Sequence, residues 1–182
     1  MSEAITELLA AAGRGDDGAR QALYARLYDE LRRGAHRALR GAAGDTLSTT
    51  ALVHEAWLKL GGGAPDANGR AHFLAIAARA MRQVLVDRAR RRLADKRGGG
   101  AARATLDESI ADGGEAAFDV LALDRALAQL DAVDARAARV VQWHFFGGLS
   151  FADIAQLEGL TVRTVMRDWQ AARALLALEM RP

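Results

Sequence analysis

The side chains best suited to bind a ligand are arginines concentrated in one stretch. From Arg79 to Arg103 the sequence has nine basic and two acidic residues, a net charge of +7. The planar guanidinium group binds phosphate oxygens in pairs, so this stretch favours contact with a nucleic-acid backbone. Arginine supplies 23 of the 25 basic residues of the whole chain, so a composition bias and a solvated basic face are the alternatives at this point.

A second group of polar side chains has the spacing of a helix-turn-helix. Ala155 is a small residue where two helices would cross closely, and Gly159 follows four positions later as the turn. Apolar residues expected between the helices are Ile154, Leu160, Val162 and Val165. The second helix would then expose Arg163, Thr164, Met166, Arg167 and Gln170. Arginine, threonine and glutamine can bond base edges or phosphates from the major groove.

The candidate enzyme motifs in the sequence each lack a required residue. His54-Glu55 begins like a zinc-protease motif, but Leu58 stands where the second histidine is needed. The glycine triplets at 61–63 and 98–100 lack the lysine and hydroxyl residue of a phosphate-binding loop. The chain has no cysteine, and its four histidines have no ligand-like spacing. We therefore expect no enzymatic activity, no metal and no cofactor.

Helices must position these residues. The sequence has 41 alanines and two prolines, a composition that favours closely packed helices. Apolar periodicity predicts an all-α protein with a first helix ending at Gly13 and a second ending near Leu39. Further helices are predicted at about 49–60, 70–96, 121–146 (two segments), 151–159 and 162–178. Ser48 or Thr49, Ser150 and Thr161 are the expected N-caps.

The charge divides along the chain. Residues 1–103 have 18 basic and 11 acidic side chains (+7), whereas residues 104–182 have 7 and 12 (−5). Glycines and acidic residues predict a flexible acidic linker at 98–118 between two small helical domains, at 1–97 and 119–182. No apolar run approaches the roughly 18 residues of a membrane span, and no signal peptide is visible. We expect a cytoplasmic protein with no membrane partner.

Several sequence motifs, taken in their order along the chain, resemble those of one protein family. Ala51–Leu60 looks like region 2.2 of the extracytoplasmic-function (ECF) type sigma factors of bacterial RNA polymerase, and Phe73–Arg92 resembles regions 2.3 and 2.4. Phe145–Ala155 resembles the opening of region 4, and Thr164–Trp169 its recognition helix. The chain departs from the usual family residues at Ala51, His54, Ala80 and Met166. The resemblance implies a region 2 module of four helices and a C-terminal region 4 module with a helix-turn-helix.

This resemblance implies that the protein binds core RNA polymerase and directs it to promoter DNA. The region 2 module would grip the clamp helices of the largest subunit, and region 4 would contact the flap of the second largest. The residues that would contact the clamp helices are Leu52, Val53, His54, Glu55 and Trp57. Core packing is the alternative role for Leu52, Val53 and Trp57. The linker would pass through the RNA exit path of the polymerase, and an anti-sigma factor is a further partner that the resemblance allows.

The resemblance also assigns two DNA contacts. The basic helix would bind the −10 element, and the loop from Gly61 to Gly69 would receive a flipped base. Its candidate residues are Arg79, Arg82, Gln83, Arg88 and Arg91. The C-terminal helix would contact the −35 element through Arg163, Thr164, Arg167 and Gln170, with Thr161 and Arg173 on phosphates.

Two other functions remain open from the sequence. The protein could be a stand-alone helix-turn-helix regulator that binds an operator without polymerase. It could also be a decoy that sequesters another regulator, although the arginine-rich fourth helix argues against a protein that never touches DNA.

Overall fold

The structure is a computed structural model that describes residues 2–40, 47–61, 67–98 and 114–179. Side chains are described for all of these residues except 2–3, 96–98 and 114–119. The described residues form eight α-helices and no strand, which confirms the predicted all-α class. The helices are α1 (Ser2–Gly13), α2 (Asp17–Arg40), α3 (Thr49–Lys59), α4 (Arg70–Gly98), α5 (Gly114–Val133), α6 (Ala135–Phe145), α7 (Phe151–Glu158) and α8 (Val162–Glu179). We call α1–α4 the N-terminal helices and α5–α8 the C-terminal helices.

Short polar residues begin several helices. Ser48 accepts a hydrogen bond from the Ala51 N–H at 3.1 Å at the start of α3, and Asp134 accepts one from Ala137 at 2.9 Å at the start of α6. Such caps satisfy N–H groups that have no partner inside the helix. Within the predicted linker, α4 reaches Gly98 and α5 begins at Gly114, while residues 99–113 lie outside the described ranges.

A leucine stripe forms the centre of the N-terminal helices. Leu23, Leu27 and Leu31 of α2 recur at helical spacing and are buried. They belong to the same apolar core as Leu52 of α3 and Phe73 of α4, both completely buried. Burial of side chains this large contributes about 1.5–3 kcal/mol each, so this stripe holds α4 in a fixed orientation.

The C-terminal helices continue the same core. Their buried residues include Leu127 of α5, Val140 of α6, Ile154 of α7 and Val165 of α8. Helix α5 packs along α4, and the end of α6 reaches α2. The basic helix α4 is therefore covered on one side by α5 and α6. The division into domains at 1–97 and 119–182 stays a prediction.

Candidate nucleic-acid interface

The end of α7 and the start of α8 form the predicted helix-turn-helix. Ser150 accepts from the Asp153 N–H, and the Asp153 carboxylate accepts from the Ser150 N–H, each at 3.1 Å. Gly159 ends α7 in the left-handed conformation, with φ of 65°. The Leu160 N–H donates to the Ala155 carbonyl at 2.9 Å. The predicted cap and the predicted glycine turn are both confirmed, and together they fix where α7 starts and ends.

The carboxylate of Asp153 remains ionised in this cap. Burial raises the pKa of Asp153, but hydrogen bonds from Ser150 and Arg70 outweigh that effect and lower it below its usual value. A negative charge in the first turn of α7 also complements the helix dipole.

Helix α8 presents one polar face to solvent. Arg163, Arg167 and Gln170 are exposed, and at 100° per residue they lie within about 60° of one another around the helix. Thr164 is half-buried, and its N–H donates to the Thr161 hydroxyl at 3.2 Å. Arg173 is exposed further along the helix. The face combines arginine and amide groups of the kind that contact DNA bases and phosphates.

The prediction that Val162 belongs to the core of this helix-turn-helix is wrong. Val162 is 42% exposed, whereas Ile154 and Val165 are completely buried and Leu160 is half-buried. The buried stripe of α8 is centred near Val165, and Val162 lies about 60° from it around the helix. Its side chain therefore lies at the solvent edge of the stripe and next to the polar face.

A buried carboxylate in α8 escaped the sequence reasoning. Asp168 has a side chain only 7% exposed, and Arg136 of α6 donates to it at 2.8 Å. This hydrogen bond raises the pKa of Arg136. Arg139 of α6 makes a two-pronged contact with Glu158 of α7, at 2.7 and 2.8 Å. These ion pairs hold α7 and α8 against α6. The Asp168–Arg136 pair could have been suspected from the sequence, because Asp168 is a carboxylate within the apolar stripe of α8.

An aromatic cluster supports the same region. The His144 ring stacks on Phe151 with centroids 4.4 Å apart and meets the edge of Trp169 at 4.8 Å. Its Nδ1 donates to the Leu149 carbonyl at 2.8 Å. Burial lowers the pKa of His144 by more than this hydrogen bond raises it, so the ring is neutral near pH 7. His144 is therefore a packing residue at the core edge.

The five polar candidates of α4 fall into two groups. Arg79, Gln83 and Arg91 are exposed and available to a ligand. Arg82 instead bonds Asp124 of α5 and Gln142 of α6, and Arg88 bonds Glu55 of α3 at 3.2 Å. The exposed group leaves a positive face on α4 beside a cleft of about 530 Å³ lined by Arg79, Arg82, Arg139 and Trp143, among others.

Helix α3 places its candidate residues at different depths. Leu52 and Val53 are buried in the core, where they cannot form a surface, which supports the core-packing alternative for both. Trp57 is half-buried, and its ring lies 4.9 Å from that of Tyr24. His54 is exposed and Glu55 half-exposed. Leu58, which the sequence reasoning did not select as a contact residue, is 58% exposed on the same face as His54.

One predicted DNA contact lies partly outside the described residues, and two searches of the described residues found no further site. The loop predicted to receive a base includes residues 62–66, which lie outside the described residues. The described residues contain no group of three His, Cys, Asp or Glu side chains placed to hold a metal ion. No helix within the described ranges is long and apolar enough to cross a membrane.

Comparison with known protein families identifies the class. The model of the ECF sigma factor family matches residues 2–182, and the chain therefore belongs to that family. It is an RNA polymerase sigma factor, which binds core polymerase and promoter DNA in transcription initiation. No protein among the curated sequences matches the chain. The comparison gives no support to a stand-alone regulator.

Proposed function

We propose that α4 and α8 divide promoter recognition between them. The observation that carries this proposal is the pair of separate exposed polar faces, Arg79 with Gln83 on α4 and Arg163 with Arg167 on α8. Helix α8 is the second helix of the helix-turn-helix and reads the −35 duplex in the major groove. Helix α4 binds the −10 element, where guanidinium groups hold the phosphates of the separated strand.

The face of α4 supports binding along a backbone. Arg79, Gln83 and Arg90 are exposed and lie within about 40° of one another around the helix, spanning roughly 16 Å along it. That length covers several phosphates of a single strand. Arg90 was not among the sequence candidates. It joins them because it extends the line of Arg79 and Gln83, although it also lies 3.9 Å from Asp124.

Promoter opening tests the assignment of α4. Replacing Arg79 by alanine should lower the fraction of promoter opened by the holoenzyme, measured by permanganate reactivity of unpaired thymines. Arg26→Ala removes another exposed arginine, from α2, and is the matched control. Equal opening by the two variants would refute a role for Arg79 at the −10 element.

The polymerase contact is proposed for the exposed face of α3. His54 and Leu58 lie one turn apart there, and the half-buried Trp57 is their neighbour in the helix. An exposed apolar side chain ringed by polar residues is typical of a contact that buries it. We assign this surface to the clamp helices of the largest subunit and the C-terminal helices to the flap. The protein acts by binding in the cytoplasm, with no catalytic step of its own.

Affinity for core polymerase tests the surface on α3. Leu58→Asp should weaken binding by about tenfold or more, as expected for an apolar contact residue at an interface. Ala25→Asp is the control, because Ala25 is an exposed apolar residue of α2, outside both surfaces assigned to polymerase. Binding should be measured by anisotropy of labelled protein titrated with core enzyme. An equal effect of the two substitutions would contradict the assignment.

A further inference from the structure

Two exposed apolar side chains lie on the proposed DNA-binding side of α8. Val162 is 42% exposed and Met166 is 43% exposed. Because they are four residues apart, they lie about 40° from each other around the helix and about 6 Å apart along it. They form one short apolar strip that begins at the first residue of α8.

In the part of the chain that the structure describes, the packing of α8 does not account for this strip. The residues of α8 that are buried against the other helices are Val165, Asp168, Ala172 and Leu176. Val162 lies about 60° from Val165 around the helix, and Met166 lies about 100° from it. Valine is also a weaker helix former than the charged and amide residues common at exposed helix positions. Core packing therefore explains neither side chain, and helix propensity does not explain Val162.

The strip lies beside the polar groups that we propose contact bases. Met166 is about 40° from Gln170 and about 60° from Arg163 around the helix, and both polar residues are exposed. In a helix-turn-helix, the N-terminal residues of the second helix contact base edges in the major groove. Val162 and Met166 are the first and fifth residues of α8. The polar face cannot enter the groove without bringing the strip into it.

Among the groups that base pairs present in the major groove, the C5-methyl of thymine is the apolar one, and the others are hydrogen-bond donors and acceptors. An apolar side chain against a donor or acceptor displaces water and leaves that group without a hydrogen bond. Against a methyl group it buries apolar surface on both sides, which is favourable. Methionine is unbranched and flexible, so Met166 can adapt its shape to such a contact.

We infer that Val162 and Met166 contact thymine methyl groups in the −35 element and thereby select A·T pairs there. This inference rests on the proposed function of α8. Base pairs follow one another at about 3.4 Å along the duplex, so a strip of about 6 Å addresses thymines within about two base pairs of each other. The contact involves no charge, so its contribution to specificity should not depend on salt concentration, unlike contacts to phosphates.

Replacement of thymine by deoxyuridine tests the inference, because it removes the C5-methyl and keeps the base pairing. Each thymine of the −35 element, on either strand, is replaced singly in a promoter fragment that the reconstituted holoenzyme transcribes. Affinity is measured by competition against the unmodified fragment. At one thymine or more, the replacement should weaken holoenzyme binding about fourfold, as expected for loss of one buried methyl group. An element without an A·T pair, or one in which no replacement changes binding, would overturn the inference.

Two alanine variants assign the contact to the strip. In Met166→Ala or Val162→Ala, the ratio of affinities for the thymine and deoxyuridine fragments should fall from about four to about one at the thymine that the lost side chain contacts. Both fragments are measured with the same protein, so a general loss of affinity leaves this ratio unchanged. A ratio that stays at the parent value in both variants would mean that another residue contacts the methyl group, and the inference would be wrong.

Leu175→Ala is the matched control. Leu175 is 49% exposed and, nine residues after Met166, lies on the opposite side of α8. The variant therefore removes an exposed apolar side chain from the same helix but away from the strip. Its ratio should equal that of the parent, and a ratio that fell to about one in this variant as well would contradict the assignment to Val162 and Met166.

Arg167→Ala, measured on the same fragments, separates this inference from the proposed function. If Arg167→Ala relaxes selection among −35 sequences while deoxyuridine has no effect at any thymine, α8 contacts the −35 element but the strip does not contribute. If neither Arg167→Ala nor the strip variants change the response to altered −35 sequences, the proposed function of α8 fails, and the inference fails with it.

Discussion

Replacing Arg167 by alanine should separate DNA reading from folding. The Arg167 side chain is 75% exposed, and its contact with Asp168 is a distant 3.9 Å, whereas Asp168 has Arg136 at 2.8 Å. Loss of an exposed side chain with no close partner should change the free energy of unfolding by less than about 0.5 kcal/mol. Loss of a two-pronged contact to a base should cost about 1–3 kcal/mol in binding, or roughly 5- to 150-fold.

The assay is run-off transcription by the reconstituted holoenzyme from promoters first identified on genomic fragments. Arg167→Ala should reduce the transcript from the cognate −35 element and should discriminate less against a changed base pair at the position it reads. Arg125→Ala, an exposed arginine of α5, is the control. The account would be refuted if the two variants transcribed equally, or if Arg167→Ala lost activity because its melting temperature fell.

Three further predictions concern the scaffold. Because burial lowers the pKa of His144, unfolding at acidic pH takes up a proton, and the free energy of unfolding should decline as pH falls below about 6.5. His144→Gln should flatten this decline in urea titrations. Ser150→Ala should lower the free energy of unfolding by about 1 kcal/mol through loss of the α7 cap, seen in thermal melts. Phe73→Ala should cost about 3–5 kcal/mol, because the side chain is completely buried, and a cost under 1 kcal/mol would contradict that packing.

The parts of the fold that the sequence predicted well are local. Ser150 caps α7 and Gly159 ends it because each acts on backbone groups a few residues away, and such signals survive without knowledge of the tertiary structure. Burial at an element's edge is harder to predict. Val162 follows the apolar period of α8 yet lies at the solvent side of the stripe, because the contact with α6 is displaced toward Asp168.

Contacts between distant segments could not be predicted from periodicity. Arg82 and Asp124 are 42 residues apart in the chain, and Arg70 and Asp153 are 83 apart. Each arginine looks in the sequence like any other basic residue of α4. Only the packing of α5–α8 on α4 distinguishes Arg82, which is paired, from Arg79, which is exposed. Likewise Leu58 is recognised as a surface residue only when the core around Leu52 is known.

The most direct test of the account is transcription with purified components. Core RNA polymerase alone should yield no specific transcript from genomic fragments, and addition of this protein should produce discrete transcripts whose upstream sequences share −10 and −35 elements. Failure to produce any such transcript, together with tight sequence-specific binding of duplex DNA by the protein in the absence of polymerase, would contradict the account.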